Sequence, residues 1–350
     1  MNRSRALLYA SLALTSALAA PLVQAKDMVI SIWDGYMAPD TLQKFQKATG
    51  IEVDKSLHAT NEEIMGKLMA TGGDGYDVVF VSSQFAEILQ KQGLLAEMDP
   101  VKVPNLKNLY PEAQNLAFDP GNHYAAPYTW GTTGICYRAD KLSQAPSSWN
   151  DLLNPGDATR GKLTLLATDR WLLGAGFLAN GWSVNESDPA HVSQVRDQLI
   201  QSKKRILSFD DTTFYSKLVS GETLLAHAWD GWCNYGTRAD ANIRFVVPKE
   251  GSDLWVDTMV VMKGSENLDA AYQFVNFMLA KENHAWIAEN ILYKVPNKAA
   301  MEGLPKDLLT RYPTLTISPA ELVRQQQLRD VGGSTQKAYT RAVTEIMAAQ

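Results

Sequence analysis

The stretch MVISIWDGYMAPDTLQKFQKATGIEVDKSLH, residues 28–58, decides the fold, because its apolar residues change their spacing twice. It opens with the alternation typical of a strand, continues as an amphipathic helix that ends at Gly50, and becomes a second strand at residues 51–58. Two parallel strands need a crossover connection of this kind. The stretch therefore predicts a βαβ unit within a parallel sheet.

The same pattern continues along the chain. Residues 61–72 predict a helix with Asn61 as its N-cap, and YDVVFVSS at 76–83 predicts a fully buried strand before a third helix. An extended, aromatic-rich segment at 123–141 follows, and the alternation of strands and helices then restarts. Two α/β blocks joined by extended segments predict two lobes, with the ligand cleft beyond the carboxyl ends of the strands.

The first 25 residues predict a secretory signal. Arg3 and Arg5 precede a short apolar run, and small residues stand at the positions that a signal peptidase reads before Ala25. The run is shorter than the roughly 20 residues of a transmembrane helix, and no Cys follows it for lipid attachment. We therefore expect cleavage after Ala25 and a soluble protein in the periplasm.

Composition excludes several function classes. The formal net charge of −5 argues against nucleic acid as a partner, which would need a basic face. The five His are scattered, and the chain contains neither a zinc-protease motif nor a nucleophile elbow. We predict no catalysis, no metal and no cofactor. An exported hydrolase, a ferric-ion binder with clustered Tyr ligands and a sensor that docks on a receptor remain the alternatives.

The chain has two cysteines, Cys136 and Cys233, without the spacing of metal ligands. They could form a disulfide in an oxidising compartment. Sequence does not show that their Cα atoms approach each other, so two separate buried thiols is the interpretation that we favour here.

The predicted strand ends share one chemistry, since most of them carry an aromatic residue and an acid. Aromatic faces attract cations and a carboxylate offers a full negative charge, so repetition at equivalent places predicts a site for a cationic ligand. The candidate binding residues are Trp33, Asp34, Tyr36, Ser82, Arg170, Trp171, Trp229, Asp230, Trp255 and Asp257.

Five stretches carry a family resemblance: IWDGYMAPDTLQKFQKATGIEV, YDVVFVSS, YAAPYTWGTTGICY, the segment from VVPKEG to LWVDTMVV, and AAYQFVNFML. In this order the chain resembles the spermidine/putrescine-binding proteins of bacterial ABC importers. The resemblance implies an α/β, two-lobed type II periplasmic binding protein fold with a hinge and an interlobe cleft. Lobe one would comprise residues 26–134 and 258–300, and lobe two residues 135–257 and 301–350. It also implies a monomer that delivers its ligand to an inner-membrane ABC permease.

The resemblance also implies roles for single residues. In that family an aromatic box encloses the methylenes of a linear amine, and acids bind its ammonium groups. Trp33, Tyr36, Trp229 and Trp255 match the walls of the box. Asp257 matches the acid that binds an ammonium group, and Ser82 matches a polar contact.

Departures from the family pattern bear on the ligand. Thr168 and Trp171 stand where polyamine binders carry two acids, and Arg170 lies between them. There are three other departures. Asp34 follows Trp33 where the family usually has Ser or Thr, and Trp232 stands where putrescine binders have an acid, close to Asp230. Leu328 and Arg329 replace a polar contact before DVG. A second ammonium without an acid is costly to desolvate, whereas Arg170 at a helix N-terminus favours an anion. The sequence thus favours an ω-amino acid, 4-aminobutyrate or 5-aminovalerate. Putrescine or spermidine remains the alternative if Asp34 or Asp230 replaces the missing acids.

Overall fold

The computed structural model describes residues 28–350, so the predicted signal peptide lies outside the described residues. The strands are β1 Met28–Ile32, β2 Val53–Leu57, β3 Val78–Ser82, β4 Ala126–Arg138, β5 Leu163–Leu165, β6 Ser208–Phe209, β7 Leu225–Trp229, β8 Ile243–Val246, β9 Asp253–Val261 and β10 Gln326–Gln327. No helix within this range is long and apolar enough to cross a membrane.

The helices alternate with the strands over most of the chain. They are α1 Thr41–Thr49, α2 Asn61–Thr71, α3 Ser83–Lys91, α4 Pro111–Gln114, α5 Asn150–Leu153, α6 Asp169–Ala179, α7 Pro189–Lys203, α8 Phe214–Ser220, α9 Asp230–Ala239, α10 Leu268–Met278, α11 Lys281–Asn290, α12 Lys298–Glu302, α13 Lys306–Arg311, α14 Pro319–Leu322 and α15 Gly333–Ala348. Two 3₁₀ helices lie at Pro104–Asn108 and Pro313–Thr316.

The strands lie in the order β2-β1-β3-β9-β4-β7-β5-β6, with β10 beside β9 and β8 beside β4. Strand β1 runs parallel to both β2 and β3, which confirms the βαβ pattern predicted from residues 28–58. Strand β9 runs antiparallel to β3 and β4, and therefore closes the parallel part of the sheet.

Two strands join the halves of the molecule. Residues 126–132 of β4 pair with β9, whereas Thr133–Tyr137 pair with β7, and β8 pairs with the same end of β4. All of β4 is buried, as expected for a strand that is covered on both faces. The two-lobed α/β fold is confirmed, and the exact limits of each lobe remain a prediction.

The start of α2 differs from the sequence prediction. Thr60, not Asn61, is the N-cap, and its side chain accepts a hydrogen bond from the Glu63 backbone N–H. Asn61 instead makes two hydrogen bonds with Ser82. Its Nδ2 donates to Ser82 Oγ at 3.1 Å, and its Oδ1 accepts from the Ser82 backbone N–H at 2.9 Å. Asn61 therefore fixes the carboxyl end of β3.

Cys136 and Cys233 form a disulfide, so the preference for two separate thiols was wrong. Their Cα atoms are 5.7 Å apart although 97 residues separate them in the chain. Strand β7 pairs with β4 at Cys136 and leads directly into α9, which carries Cys233. Strand pairing therefore creates a proximity that residue spacing does not reveal.

Candidate functional site

The site occupies one face of four adjacent strands, β3, β9, β4 and β7. Asp257 of β9 lies opposite Ser82 of β3 and Thr129 of β4. Toward the start of β9, Trp255 lies opposite Gly131 of β4. Two residues later in β4, Thr133 pairs with Trp229 of β7. Paired residues project to the same side of a sheet, so register alone brings these segments together.

Asp257 forms one end of the site, which we call the Asp257 end. Its Oδ2 accepts a hydrogen bond from the Tyr36 hydroxyl at 2.6 Å, and its Oδ1 accepts one from Ser82 Oγ at 2.7 Å. Thr129 Oγ1 lies 3.3 Å from Oδ2. Burial raises the pKa of Asp257, and the three hydroxyls oppose that rise. All three partners are neutral, so the carboxylate has no counter-charge among them.

Aromatic rings in edge-to-face and tilted contact surround the Asp257 end. Trp33 contacts Tyr36 at 5.4 Å between ring centroids, Tyr36 contacts Tyr293 at 5.9 Å, and Tyr293 contacts Trp255 at 5.3 Å. Gly131 makes room for the Trp255 indole, because a Cβ there would lie 2.3 Å from Cζ2. The four rings offer an apolar wall with negative faces beside a carboxylate.

Tyr293 was missed in the sequence analysis. It follows α11 in a segment without a strand or helix pattern, so no local periodicity marked it. Its ring lies against Gly231, where a Cβ would come within 1.6 Å of the ring. A glycine directly after Asp230 was the indirect signal that another group approaches closely there.

The structure places Asp34 and Asp230 differently from the other candidates. Asp34 is exposed in the turn after β1. Asp230 is buried and forms an ion pair with Lys294 at 3.3 Å, and the Lys294 Nζ also donates to the Thr314 carbonyl at 2.8 Å. Burial raises the pKa of Asp230, and Lys294 opposes that rise. Asp230 thus has a cation supplied by the chain itself.

The far end of the same face, which we call the Asp253 end, lies where β9 begins. Trp171 contacts Trp229 edge to face at 5.3 Å, and its indole Nε1 donates to Asp253 Oδ2 at 3.1 Å. Asp253 is 5% exposed. Burial raises its pKa to about 6. Sequence analysis missed this acid, although it lies two residues before Trp255 and shares its strand face.

Arg170 lies next to Trp171 in α6 but is already engaged. It is buried, its Nη1 donates to the Arg329 carbonyl at 2.8 Å, and its Nη2 donates to Asn185 Oδ1 at 2.6 Å. Its guanidinium also lies over the Tyr339 ring at 5.7 Å. Burial lowers the pKa of Arg170. These contacts attach α6 to the segment after β10.

The other departures from the family pattern have partners of their own. Thr168 donates to Asp211 Oδ2 at 3.0 Å. Trp232 packs among aromatic side chains of α8 and α9, with Tyr215 at 6.0 Å and Tyr235 at 5.9 Å. The structure therefore brings together Trp33, Tyr36, Ser82, Trp255 and Asp257 at one end, and Trp171 and Trp229 at the other.

The arrangement of carboxylates and aromatic faces is suited to binding a cation by contact. Within residues 28–350 no group of three or more His, Cys, Asp or Glu side chains is placed to hold a metal ion. Asp253 and Asp257 are two carboxylates on one strand face, with Trp255 between them. The described ion pairs include neither of them.

Comparisons with known proteins identify the family of the chain and support its fold. Residues 40–316 match the family described as bacterial extracellular solute-binding protein. A putrescine/cadaverine-binding protein of Pseudomonas aeruginosa is 31% identical, over 94% of this chain and 95% of that relative. The spermidine/putrescine-binding periplasmic protein of Escherichia coli is 29% identical, over 88% and 87%. A solved putative spermidine/putrescine ABC transporter structure from Listeria monocytogenes matches with a TM-score of 0.83 at 30% identity, over 93% of this chain and 99% of that one.

Proposed function

This chain belongs to the bacterial extracellular solute-binding proteins, and on that premise we propose that it captures a linear diamine or polyamine for an ABC importer. One observation carries the proposal: Asp257 is a partly buried carboxylate held by neutral hydroxyls beside an aromatic wall, and none of the ion pairs within residues 28–350 includes it. A ligand ammonium would supply the missing charge, and Trp255 and Tyr36 would contact its methylenes. The relatives' names support amines of this class.

The ω-amino acid that the sequence favoured also carries an ammonium, so the two hypotheses differ at the other end of the ligand. A carboxylate there would need a free cation. Arg170 is the candidate, and both of its terminal nitrogens already donate to Arg329 and Asn185. Only the Nε of Arg170 lacks a partner among the described residues, and the residue is 5% exposed, so a ligand carboxylate would have to share a buried guanidinium that already serves two other groups. The structure and the relatives therefore favour the amine alternative.

Calorimetry with two ligands of equal chain length tests this choice. Putrescine and 4-aminobutyrate should be titrated into protein that has been unfolded, freed of carried ligand and refolded. We expect putrescine to bind at least about tenfold more tightly, equivalent to about 1.4 kcal/mol. Tighter binding of 4-aminobutyrate would contradict the proposal and favour the ω-amino acid hypothesis.

We also propose that the ligand closes the cleft. Tyr36 and Ser82 belong to the residues predicted for lobe one, whereas Trp229 and Trp171 belong to those predicted for lobe two. A ligand that touches both lobes links them. Solution scattering should show a smaller radius of gyration with saturating putrescine, and an unchanged radius would argue against closure.

We further propose that the protein is exported, that it is a monomer, and that it delivers its ligand to an inner-membrane ABC permease. The relatives from Escherichia coli and Haemophilus influenzae are named periplasmic proteins. We propose the same location here, reached by the signal in residues 1–25. Protein recovered from the periplasm should begin at Lys26 and elute as a monomer, and an intact Met1 would refute the cleavage.

A further inference from the structure

Given the proposed amine ligand, we infer that Asp253 binds a second ammonium group, so that the ligand is a short terminal diamine lying along β9 across Trp255. Thr168 and Trp171, where α6 begins, are both uncharged. An acid at this end comes instead from β9, where Asp253 accepts a hydrogen bond from Trp171. The inference depends on the proposed function for the first ammonium group, at Asp257.

Strand geometry places the two acids at a suitable distance. Asp253, Trp255 and Asp257 alternate with residues of the opposite face and therefore project to the same side. Four residues of strand span about 13 Å. Allowing about 2.8 Å for an N–H···O contact at each end leaves about 7 Å between the ligand nitrogens. A four- or five-carbon diamine fits this span, with its methylenes over the Trp255 indole.

The surroundings of the two acids match closely. Asp257 has an aromatic donor, a serine and a threonine, which are Tyr36, Ser82 and Thr129. Asp253 also has an aromatic donor, Trp171, while Ser252 Oγ lies 3.3 Å from its Oδ1. Continuing the register of β4 and β9 by one residue places Thr133 beside Asp253, as Thr129 lies beside Asp257.

The Asp253 end has unused hydrogen-bonding capacity. Ser252 Oγ donates to the Thr133 carbonyl at 2.5 Å, so its single proton is not available to Asp253. Thr133 lies close enough to help lower the pKa of Asp253, but the pair lacks hydrogen-bond geometry. Thr133 is 1% exposed, and its hydroxyl has no hydrogen-bond partner among the described residues. An ammonium group donates up to three hydrogen bonds and could therefore donate both to the Thr133 hydroxyl and to the Asp253 carboxylate.

Charge separates Asp253 from the other buried acid of this region. Asp230 has Lys294 at 3.3 Å, whereas none of the described ion pairs includes Asp253. Arg170 is the cation near enough to interact electrostatically with Asp253, but its terminal nitrogens donate to Arg329 and Asn185. A buried carboxylate without a counter-charge is unfavourable. Binding an ammonium group relieves this cost.

Asp211 is the rival for this role, because it also lies near the end of a lobe-two strand. Its oxygens already accept hydrogen bonds from the Ala167 N–H at 2.7 Å and from Thr168 Oγ1 at 3.0 Å. It follows β6, which is four strands from β9 and thus about 19 Å away across the sheet. Asp211→Asn is therefore the matched control for Asp253→Asn.

The test is a calorimetric titration of refolded, ligand-free protein with butylamine, 1,3-diaminopropane, putrescine and cadaverine. Wild type should bind putrescine or cadaverine at least about tenfold more tightly than butylamine. Asp253→Asn should reduce this ratio below about threefold while changing the butylamine affinity little, because one charged contact is lost. Asp211→Asn should keep the wild-type ratio. An unchanged ratio in Asp253→Asn, or a ratio that collapses in Asp211→Asn instead, overturns the inference.

A second variant keeps the inference testable if Asp253→Asn does not fold. Asp253→Glu advances the carboxylate by one methylene and should shift the preferred diamine one carbon shorter, whereas a structural role would change all affinities equally. An unshifted length preference counts against the role of Asp253. Equal wild-type binding of putrescine and butylamine defeats this inference alone, whereas tighter binding of 4-aminobutyrate defeats the proposed function.

Discussion

The two ends of the site hold their carboxylates with similar sets of groups, yet they relate differently to the sequence. At the Asp257 end, Trp255 and Asp257 match a family motif, and the structure places both beside Tyr36 and Ser82. At the Asp253 end, the family resemblance leads one to expect acids at Thr168 and Trp171, both of which are uncharged, and the buried acid comes from β9. The difference teaches that a missing acid in a motif does not mean a missing charge in the site.

The same comparison explains why Arg170 was misleading. In sequence it stands between the two replaced acids and suggests a positive end to the cleft. In the structure its guanidinium is bonded to Arg329 and Asn185, and the group that reaches Trp171 is a carboxylate. The electrostatics of the far end depend on a side-chain direction that residue order does not give.

Removing Asp257 should have the largest effect on binding. Asp257→Asn should weaken every amine, butylamine included, by about 2–5 kcal/mol, the scale for truncating a desolvated charge pair. Calorimetry measures the loss. Because burial raises the pKa of Asp257, its charge does not favour folding, so thermal denaturation should show no loss of stability. A folded variant that binds butylamine like wild type would remove Asp257 from the site.

The disulfide belongs to the side of the Asp253 end, where it links β4 to α9. Replacing both Cys136 and Cys233 by Ser should lower the free energy of unfolding by about 2–4 kcal/mol, because the unfolded chain gains freedom. Urea denaturation measures the change. Wild type treated with a reductant should show the same loss, and equal stability of oxidised and reduced protein would contradict the expectation.

Acid should weaken putrescine binding partly through the Asp253 end. With a pKa raised by burial to about 6, Asp253 is ionised at about pH 7.5 and mostly protonated at about pH 5. Putrescine affinity should therefore fall by about tenfold more over this range in wild type than in Asp253→Asn. The groups around Asp253 are Trp171, Ser252, Thr133 and the charged Arg170, and Arg170 does not titrate here.

Comparing wild type with Asp253→Asn controls for Asp257, whose pKa is also raised by burial and which is present in both proteins. Equal pH dependence in wild type and Asp253→Asn would show that Asp253 does not contact the ligand.

The pH dependence of folding stability has the opposite direction to that of binding. Since the carboxyl of Asp253 holds its proton more tightly in the folded state, it lowers stability as pH rises from 3.8 toward 6.

Arg170 should have the smallest effect on ligand choice. Arg170→Met should leave the ratio of putrescine to 4-aminobutyrate affinity within about twofold of wild type, since its nitrogens serve other residues. Its melting temperature should fall because buried oxygens of Arg329 and Asn185 lose a donor. A selective loss of 4-aminobutyrate binding would show that Arg170 faces the ligand.

Sequence alone was sufficient for the fold and for several of the residues that the structure brings together in the candidate site. Periodicity gave the strands and helices, because burial on one or two faces leaves a local pattern at residues 28–58 and in β9. The alternation in β9 also placed Trp255 and Asp257 on one face. The same rule applied two residues earlier would have included Asp253, so that omission was avoidable.

Tertiary structure decided what depends on distance between remote segments. The Cys136–Cys233 bond, the Asp230–Lys294 ion pair and the contact of Tyr293 with Trp255 each join residues that no local pattern connects. Sequence determined which chemical groups the cleft contains, because residue types and strand ends are local properties. Only the packed chain decided which charges neutralise each other and which remain for a ligand, because pairing depends on side-chain direction and burial in three dimensions.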